Sequence, residues 1–373
     1  MDGVKYKLVL DSLKKEILGG QYNSVRKFPS VTALARRFGE TRSTVYRALA
    51  ELAHQGLVSQ KQGRGTFITH QGSARKIGLI MPGVVVSEFF RPIATTLIDL
   101  ARANGYTLLF GETYSLDPEL RVKEARELAA KMIREKVAGV IYQPFEATLN
   151  GKEMNQRILS VLDLKRIPVV LIDRDAVMPP ARTDHDLVAI NNVDASERLT
   201  GHLVDAGARN ICFLTNYSDV PNIECRVRGF LAAKERLAGR RLRFEVVRGS
   251  AADLDFVRRM MRKRSRPDAV LCDSDTTAAF LRQTLDKLGY SVPDDVMLAG
   301  FDDVQLASLM TPPLTTVHQP CGEIGTQAFN RLLARIAGQD LLPTEILLRA
   351  PLVVRESTCR KAIAKNGKPG RTK

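Results

Sequence analysis

Arg226 and Asp302 first, and Asp173 beside them, are side chains suited to hold a polyhydroxylated molecule. A carboxylate accepts several hydrogen bonds and a guanidinium donates several in a fixed fork, so each can grip two hydroxyls. Ser87, Glu88, Gln143 and Ser274 add further donors and acceptors, and Phe89 or Phe90 offers a ring face for stacking. A second group carries a different chemistry. Arg42, Ser43, Thr44 and Arg47 crowd together, with Ser30 upstream and Lys61-Gln62-Gly63-Arg64-Gly65 downstream. Arg, Ser and Thr at one helix start can meet base edges and phosphates together. An arginine set between glycines can enter a minor groove or lie along phosphates, because glycine permits close backbone approach.

The elements that must position this second group lie in residues 1–68. Tyr6, Leu10, Leu13 and Ile17 recur at three- and four-residue steps, which predicts a helix over 4–18 that Gly19-Gly20 ends. Ser30 is placed to cap a short second helix with Leu34, Ala35 and Phe38 on its apolar face, and Gly39 breaks it. Thr41 caps a third helix over 42–54, with Val45, Ala48, Leu49 and Leu52 facing inward and the arginines left outside. Strand-like pieces at 57–60 and 66–69 flank the glycine-rich tip. The pattern is a helix–turn–helix followed by a β-wing. Tyr6, Tyr22 and Phe28 read as core residues of this unit.

The first group belongs to a longer body. Residues 69–76 have no apolar periodicity and read as a linker. From 77 onward short apolar strands are expected at 77–81, 106–110, 138–142 and 168–172, with helices near 90–104, 119–135 and 154–165. A second series of strands follows at 211–214, 244–247, 269–272 and 296–300. Two such βαβ series predict an α/β fold of two doubly wound, parallel-sheet lobes over 77–358. Ligands of such sheets bind beyond the C-terminal strand ends. Ser87 to Phe90, Gln143, Asp173 and Arg174, Ser274 and Asp275, and Asp302 all follow strands, and Arg226 opens a helix. Asp275 is expected to cap its helix. The tail, 359–373, is polar and basic and is expected to be disordered.

The formal net charge of +15 is unevenly placed. Residues 1–76 hold 14 Lys/Arg against 5 Asp/Glu, residues 355–373 hold 7 against 1, and the stretch between holds 35 of each. A basic head on a neutral body implies that the head meets a polyanion. The five cysteines are odd in number and form no CxxC pair, so neither a metal site nor a disulfide framework is expected. MDGVKYKLVLDSL lacks a signal-peptide core and no run reaches transmembrane length, so a cytoplasmic protein without membrane contact is expected.

Two resemblances follow from quoted segments. FPSVTALARRFGETRSTVYRALAELAHQGLVSQKQGRGTFI resembles the signature of GntR-type winged-helix DNA-binding domains. That likeness places Arg42, Thr44 and the Gly63-Arg64-Gly65 wing on DNA-contacting positions. Val31 departs from the usual Glu and removes a capping partner for Ser30, and Glu40 departs from the usual Val. IPVVLIDRD, RVRGF, AVLCDSDTTAAFLRQTLDKLGYSVPDDVMLAGFDD and TPPLTTVHQP resemble the effector domain of LacI/GalR repressors, which is periplasmic-binding-protein-like. This second likeness implies that Phe90, Asp173, Arg226, Ser274 and Asp302 line an effector site. Ser274 stands where Asn is frequent, and Gly83 to Val86 replace a usually polar loop. The order of parts resembles hybrid regulators of the arabinose-repressor type.

An enzyme is disfavoured because GxSxG, P-loop, GxGxxG and HExxH motifs are absent and the five histidines do not cluster. An exported binding protein would need a leader and no basic winged helix, and a purely architectural DNA binder would not need the cleft residues. The expectation is a ligand-responsive DNA-binding transcription regulator, which the resemblances imply is a repressor of carbohydrate-related genes released by a sugar-like effector, with a sugar-responsive activator as the alternative. Its partners would be double-stranded operator DNA, that small molecule and a second copy of the chain in a homodimer. No metal or cofactor is expected.

Overall fold

The computed structural model of the chain describes residues 2–18, 22, 28–61, 65–68, 75–81, 88–111, 118–145, 151–216, 220–237 and 241–360. At the N-terminus, α1 (Asp2–Leu18), α2 (Val31–Phe38) and α3 (Arg42–His54) precede a hairpin of β1 (Val58–Lys61) and β2 (Gly65–Ile68). Leu10, Leu13 and Ile17, Leu34, and Val45, Ala48, Leu49 and Leu52 supply one buried face from each helix, closed by Phe28 and Val58. Ser30 Oγ accepts the Ala33 N–H at 3.2 Å and starts α2 without any acidic residue in its first turn. Gly39 ends it at φ 65°, a left-handed conformation that costs glycine little. The hairpin runs in the register Val58↔Ile68 to Lys61↔Gly65, one residue off the expected limits.

The body opens with β3 (Arg75–Ile80), two residues inside the expected linker. Arg75 and Lys76 pair with Tyr106 and Thr107, but their side chains are exposed or half-exposed, so the start of the strand carries no apolar signal. Residues 69–74 lie outside the described residues. The first lobe continues through α4 (Phe90–Ala103), β4 (Tyr106–Gly111), α5 (Pro118–Arg134), β5 (Gly139–Tyr142), α6 (Gly151–Leu164), β6 (Val169–Ile172) and β7 (Asp186–Ile190). The second lobe holds α7 (Asn192–Asp205), β8 (Asn210–Thr215), α8 (Pro221–Arg236), β9 (Arg243–Arg248) and α9 (Leu254–Arg262). It goes on with β10 (Ala269–Cys272), α10 (Asp275–Lys287), β11 (Met297–Asp302), α11 (Gln305–Leu309) and β12 (Thr315–His318). The chain then returns to the first lobe for α12 (Cys321–Ile336) and β13 (Glu345–Leu348), and ends in the second with β14 (Leu352–Val353) and a 3-10 turn, Glu356–Thr358.

The two sheets have the orders β13-β7-β6-β5-β3-β4 and β14-β12-β11-β10-β8-β9. All their neighbours are parallel except β14, which runs antiparallel to β12. Both sheets are covered on two faces, so the strands are apolar throughout. In the first lobe, α4 and α12 cover Leu79, Ile141 and Val170, while α5 and α6 cover Val140, Tyr142 and Leu171. In the second, α7 and α8 cover Phe213, Leu271 and Phe301, while α9 and α10 cover Leu214, Val270 and Leu298.

Among the described residues the chain passes between the lobes three times, at 190–192, 318–321 and 348–352. These passages lie side by side: Asn191 donates to the Leu348 carbonyl at 3.0 Å and His318 to the Pro351 carbonyl at 2.8 Å.

Candidate functional site

Between the lobes, the C-terminal ends of β5, β6, β10 and β11 face a cleft that the N-termini of α4 and α8 also border. Asp173 follows β6 at φ 67°, and Asp302 ends β11 at φ 108°. Positive φ is costly for a non-glycine residue, so both carboxylates are held in place by their surroundings rather than by backbone preference. Asp173 is buried, and its carboxylate accepts from Gln143 Nε2 at 3.1 Å and Arg174 Nε at 3.0 Å. Asn222 Nδ2, which belongs to the second lobe, donates to both Asp173 oxygens at 3.3 and 3.4 Å.

Arg226 sits one turn further along α8 and is 2% exposed. Its Nε donates to Asn192 Oδ1 at 2.8 Å, one Nη donates to the Asp273 carbonyl, and the other lies 3.5 Å from Asp302 Oδ1. The guanidinium also lies 4.2 Å from the Phe301 ring centroid. Asp302 accepts a 2.6 Å bond from Gln319 Nε2 as well. Burial pushes the Asp302 carboxyl up, against the pull of Arg226 and the Gln319 hydrogen bond. A buried cation held by neutral oxygens and a half-shielded carboxylate leaves polar atoms positioned to exchange partners with hydroxyl groups. A small cavity of about 100 Å³ borders this edge, lined in part by Asp173, Asn192 and Asn222.

The structure therefore brings Gln143, Asp173, Arg226 and Asp302 to one interlobe edge. Phe89 and Phe90 pack together at 4.7 Å between centroids at the start of α4, both half-buried. Cys321 Sγ touches the Phe89 carbonyl at 3.5 Å, so the aromatic pair adjoins a passage between the lobes. Glu88 is exposed, and Ser87 lies outside the described residues. One expectation needs correction at α10. Ser274, not Asp275, is the N-cap: its oxygen accepts the Thr277 N–H at 3.2 Å. Asp275 is fully buried, takes hydrogen bonds from Thr316 Oγ1 at 2.6 Å and the Val304 N–H at 3.1 Å, and is raised well above the ordinary carboxyl range by burial and the nearby Asp302 charge. It is the first residue of α10, and its carboxylate is turned to β12 and to the chain that follows β11.

Sequence reasoning missed Asn192, Asn222, Asp273 and Gln319. Asp273 is buried and accepts from Thr215 Oγ1 at 2.5 Å, while Arg226 uses its carbonyl. Asn222 follows the proline that opens α8, a local cue that was available in Val220-Pro221-Asn222.

In the N-terminal unit, Arg42 and Ser43 open α3 with exposed side chains. Thr41 caps the helix by accepting the Thr44 N–H at 3.2 Å, and its hydroxyl lies 2.8 Å from Thr44 Oγ1. Arg47 is exposed with its guanidinium 4.4 Å from the Tyr6 ring centroid, so Tyr6 both packs on the core and supports a cation. Glu40 lies 3.8 Å from Lys5 Nζ, which offsets its charge. Ser30 is exposed and engaged as a cap. Lys61 is exposed beside Phe67, Gly65 has φ 106°, and Gly63 and Arg64 lie outside the described residues. Among the described residues no group of His, Cys, Asp and Glu could hold a metal ion, and no helix is long and apolar enough to cross a membrane.

Two segments of the chain match known protein families. Residues 5–68 match the bacterial regulatory proteins of the gntR family, and residues 200–358 match a periplasmic binding protein-like domain. The arabinose metabolism transcriptional repressor of Geobacillus stearothermophilus is 29% identical over 366 residues, covering 95% of this chain and 97% of the relative. The ribose operon repressor of Escherichia coli strain K12 is 31% identical over 230 residues, 61% of this chain and 66% of the relative. A periplasmic binding protein/LacI transcriptional regulator from Alkaliphilus metalliredigens, solved with D-xylulofuranose, shares the fold at a TM-score of 0.62 and 22% identity, covering 76% of this chain and 98% of that one.

Proposed function

Because this chain joins a gntR-family helix–turn–helix domain to a LacI-type, periplasmic-binding-protein-like body, we propose that it is a ligand-responsive transcriptional repressor whose operator affinity is set by a sugar-like molecule in the interlobe cleft. The observation that carries the reading is Arg226, buried between Asn192, the Asp273 carbonyl and Asp302 where the two lobes meet. Such a site offers fixed donors and acceptors to hydroxyls. Relatives that are transcription regulators support a non-enzymatic role.

The finer reading assigns Arg42, Ser43, Thr44, Arg47, Lys61 and the 63–65 wing to DNA contact. It assigns Phe89 or Phe90, Gln143, Asp173, Arg226 and Asp302 to the effector. The exposed apolar side chains Phe280, Leu306 and Leu309 on α10 and α11 support association of two copies, so that paired heads read a two-fold operator in the cytoplasm. Effector binding shifts the equilibrium between lobe arrangements only through its different affinity for each. The test is an electrophoretic shift of operator DNA with and without a panel of pentoses, hexoses and sugar acids. One sugar should release the DNA. Failure of every sugar both to release DNA and to raise the melting temperature would overturn the effector class.

A further inference from the structure

Balanced charge over residues 77–354 hides a local excess. Residues 234–266 alone hold 12 Lys/Arg against 4 Asp/Glu, so the rest of the body is acidic in compensation. The structure sets two of these cations, Lys234 and Arg243, in the wall of a cavity of about 350 Å³, with Asn210, Leu242, Phe244 and Ser265 also lining it. That volume falls within the range of small-molecule sites. The cavity lies at the N-terminal ends of β8, β9 and β10, whereas Thr215, Asp273 and Asp302 mark the ends that face the cleft. The six residues of β8 separate the two ends by roughly 20 Å.

Its chemistry is one-sided. Glu245 is already paired with Lys263, and the Asp268 carboxylate accepts the Arg209 and Asn210 N–H groups at 3.0 Å. Among the described residues, Lys234, Arg243, Arg262 and Arg264 have no ion-pair partner. Cations at the C-terminal end of α9 complement the helix dipole, which accounts for Arg262. It does not account for Arg243, which stands on the outer strand of the sheet, nor for a cavity with Leu242 and Phe244 in its wall.

We propose that this pole binds a small organic phosphate, with Arg243 and Lys234 on the phosphate oxygens and the attached ring or chain against Phe244 and Leu242. Guanidinium and ammonium groups make charge-assisted hydrogen bonds to phosphate, and a concave wall that includes Leu242 and Phe244 suits a compact organic anion better than a rod-like duplex. Helix α8 carries Lys234 in its last turn and Asn222 and Arg226 near its start, so this pole and the cleft share one rigid element.

Calorimetry of the full chain with phenyl phosphate tests the assignment. One molecule should bind per chain, phenol at the same concentration should not bind, and Lys234→Glu/Arg243→Glu should weaken binding at least tenfold. Arg226→Ala should bind phenyl phosphate within twofold of wild type, which separates this pole from the cleft. The milder Lys234→Gln should weaken binding about threefold, and an unchanged unfolding midpoint should accompany both exposed variants. Absence of binding, or equal binding by wild type and the double variant, overturns the proposal. So does a double variant that loses only affinity for non-operator duplex DNA, because the pole would then be a nucleic-acid surface.

Discussion

Asn222 and Asp173 join the two lobes directly, with Asn222 Nδ2 on the second lobe 3.3 Å from the carboxylate on the first. A second bond of the same kind runs from Arg228 to the Pro179 carbonyl at 3.1 Å. Residues in the first two turns of α8 thus reach directly across to the first lobe.

Asn222→Asp should set two carboxylates against each other and favour the open arrangement. Like charges at this separation cost on the order of 1–3 kcal/mol where partly shielded. Small-angle scattering should give a larger radius of gyration than wild type, and effector affinity should fall about tenfold. An unchanged radius would mean the contact does not govern closure.

Arg226→Ala should remove the effector's thermal stabilisation while operator binding persists. Loss of a buried cation also strands the Asp302 carboxylate, so the unliganded protein should lose roughly 2–4 kcal/mol. Urea unfolding with and without effector separates the two effects. Retained stabilisation by the effector would remove Arg226 from the site.

Ser274→Ala should cost about 1 kcal/mol through loss of the α10 cap. Because its oxygen accepts the Thr277 N–H, effector affinity should change less than threefold. A tenfold loss in calorimetry would show that the hydroxyl also serves the ligand.

Arg42→Ala should weaken operator binding by about 1–3 kcal/mol and relax specificity at one base pair. Arg47→Ala, which loses a guanidinium resting on Tyr6, should lower affinity more evenly across sequences and flatten the salt dependence. Fluorescence anisotropy on operator and scrambled duplexes distinguishes the patterns. Equal losses on both duplexes for Arg42→Ala would make it a phosphate contact.

Asp186 should control the acid limb of stability. Burial opposes its ionisation, but hydrogen bonds from Arg335 and Arg331 and the Thr344 N–H outweigh burial and hold the carboxyl below its ordinary value. A depressed folded-state value contributes stability that is present above the unfolded value of 3.8 and lost as pH falls through the folded one. Asp186→Asn should therefore cost about 3 kcal/mol near pH 7 and progressively less below pH 4. A difference in urea unfolding that stays constant across this range would refute the ion-pair account.

Much of this site can be read from residue types at strand ends. Asp173, Asp302 and Gln143 were findable because polar residues after an apolar strand of a parallel sheet stand at the ligand edge. Asn222 was harder, since its partner Asp173 is 49 residues away and only the folded chain makes them neighbours. Asp275 misled because an Asp beside a helix start suits a cap, yet Ser274 took that position and freed the carboxyl to bond Thr316, 41 residues on. Strands β7, β12, β13 and β14 escaped notice for a different reason. No helix separates β7 from β6, β13 and β14 are partly exposed, and the last three lie at or beyond the end of the regular βαβ alternation, so periodicity gives them no context.

The three adjoining passages between the lobes restrict what the molecule can report. Side-by-side tethers tied at Asn191, Leu348, His318 and Pro351 act like the pins of a door, leaving essentially one angle free and opposing sliding or twisting. A ligand's chemistry is then compressed into a single reading, how far the door swings. Two molecules of unlike structure that swing it equally would be indistinguishable at the operator, and a molecule that fills the cleft without swinging it would compete silently with both.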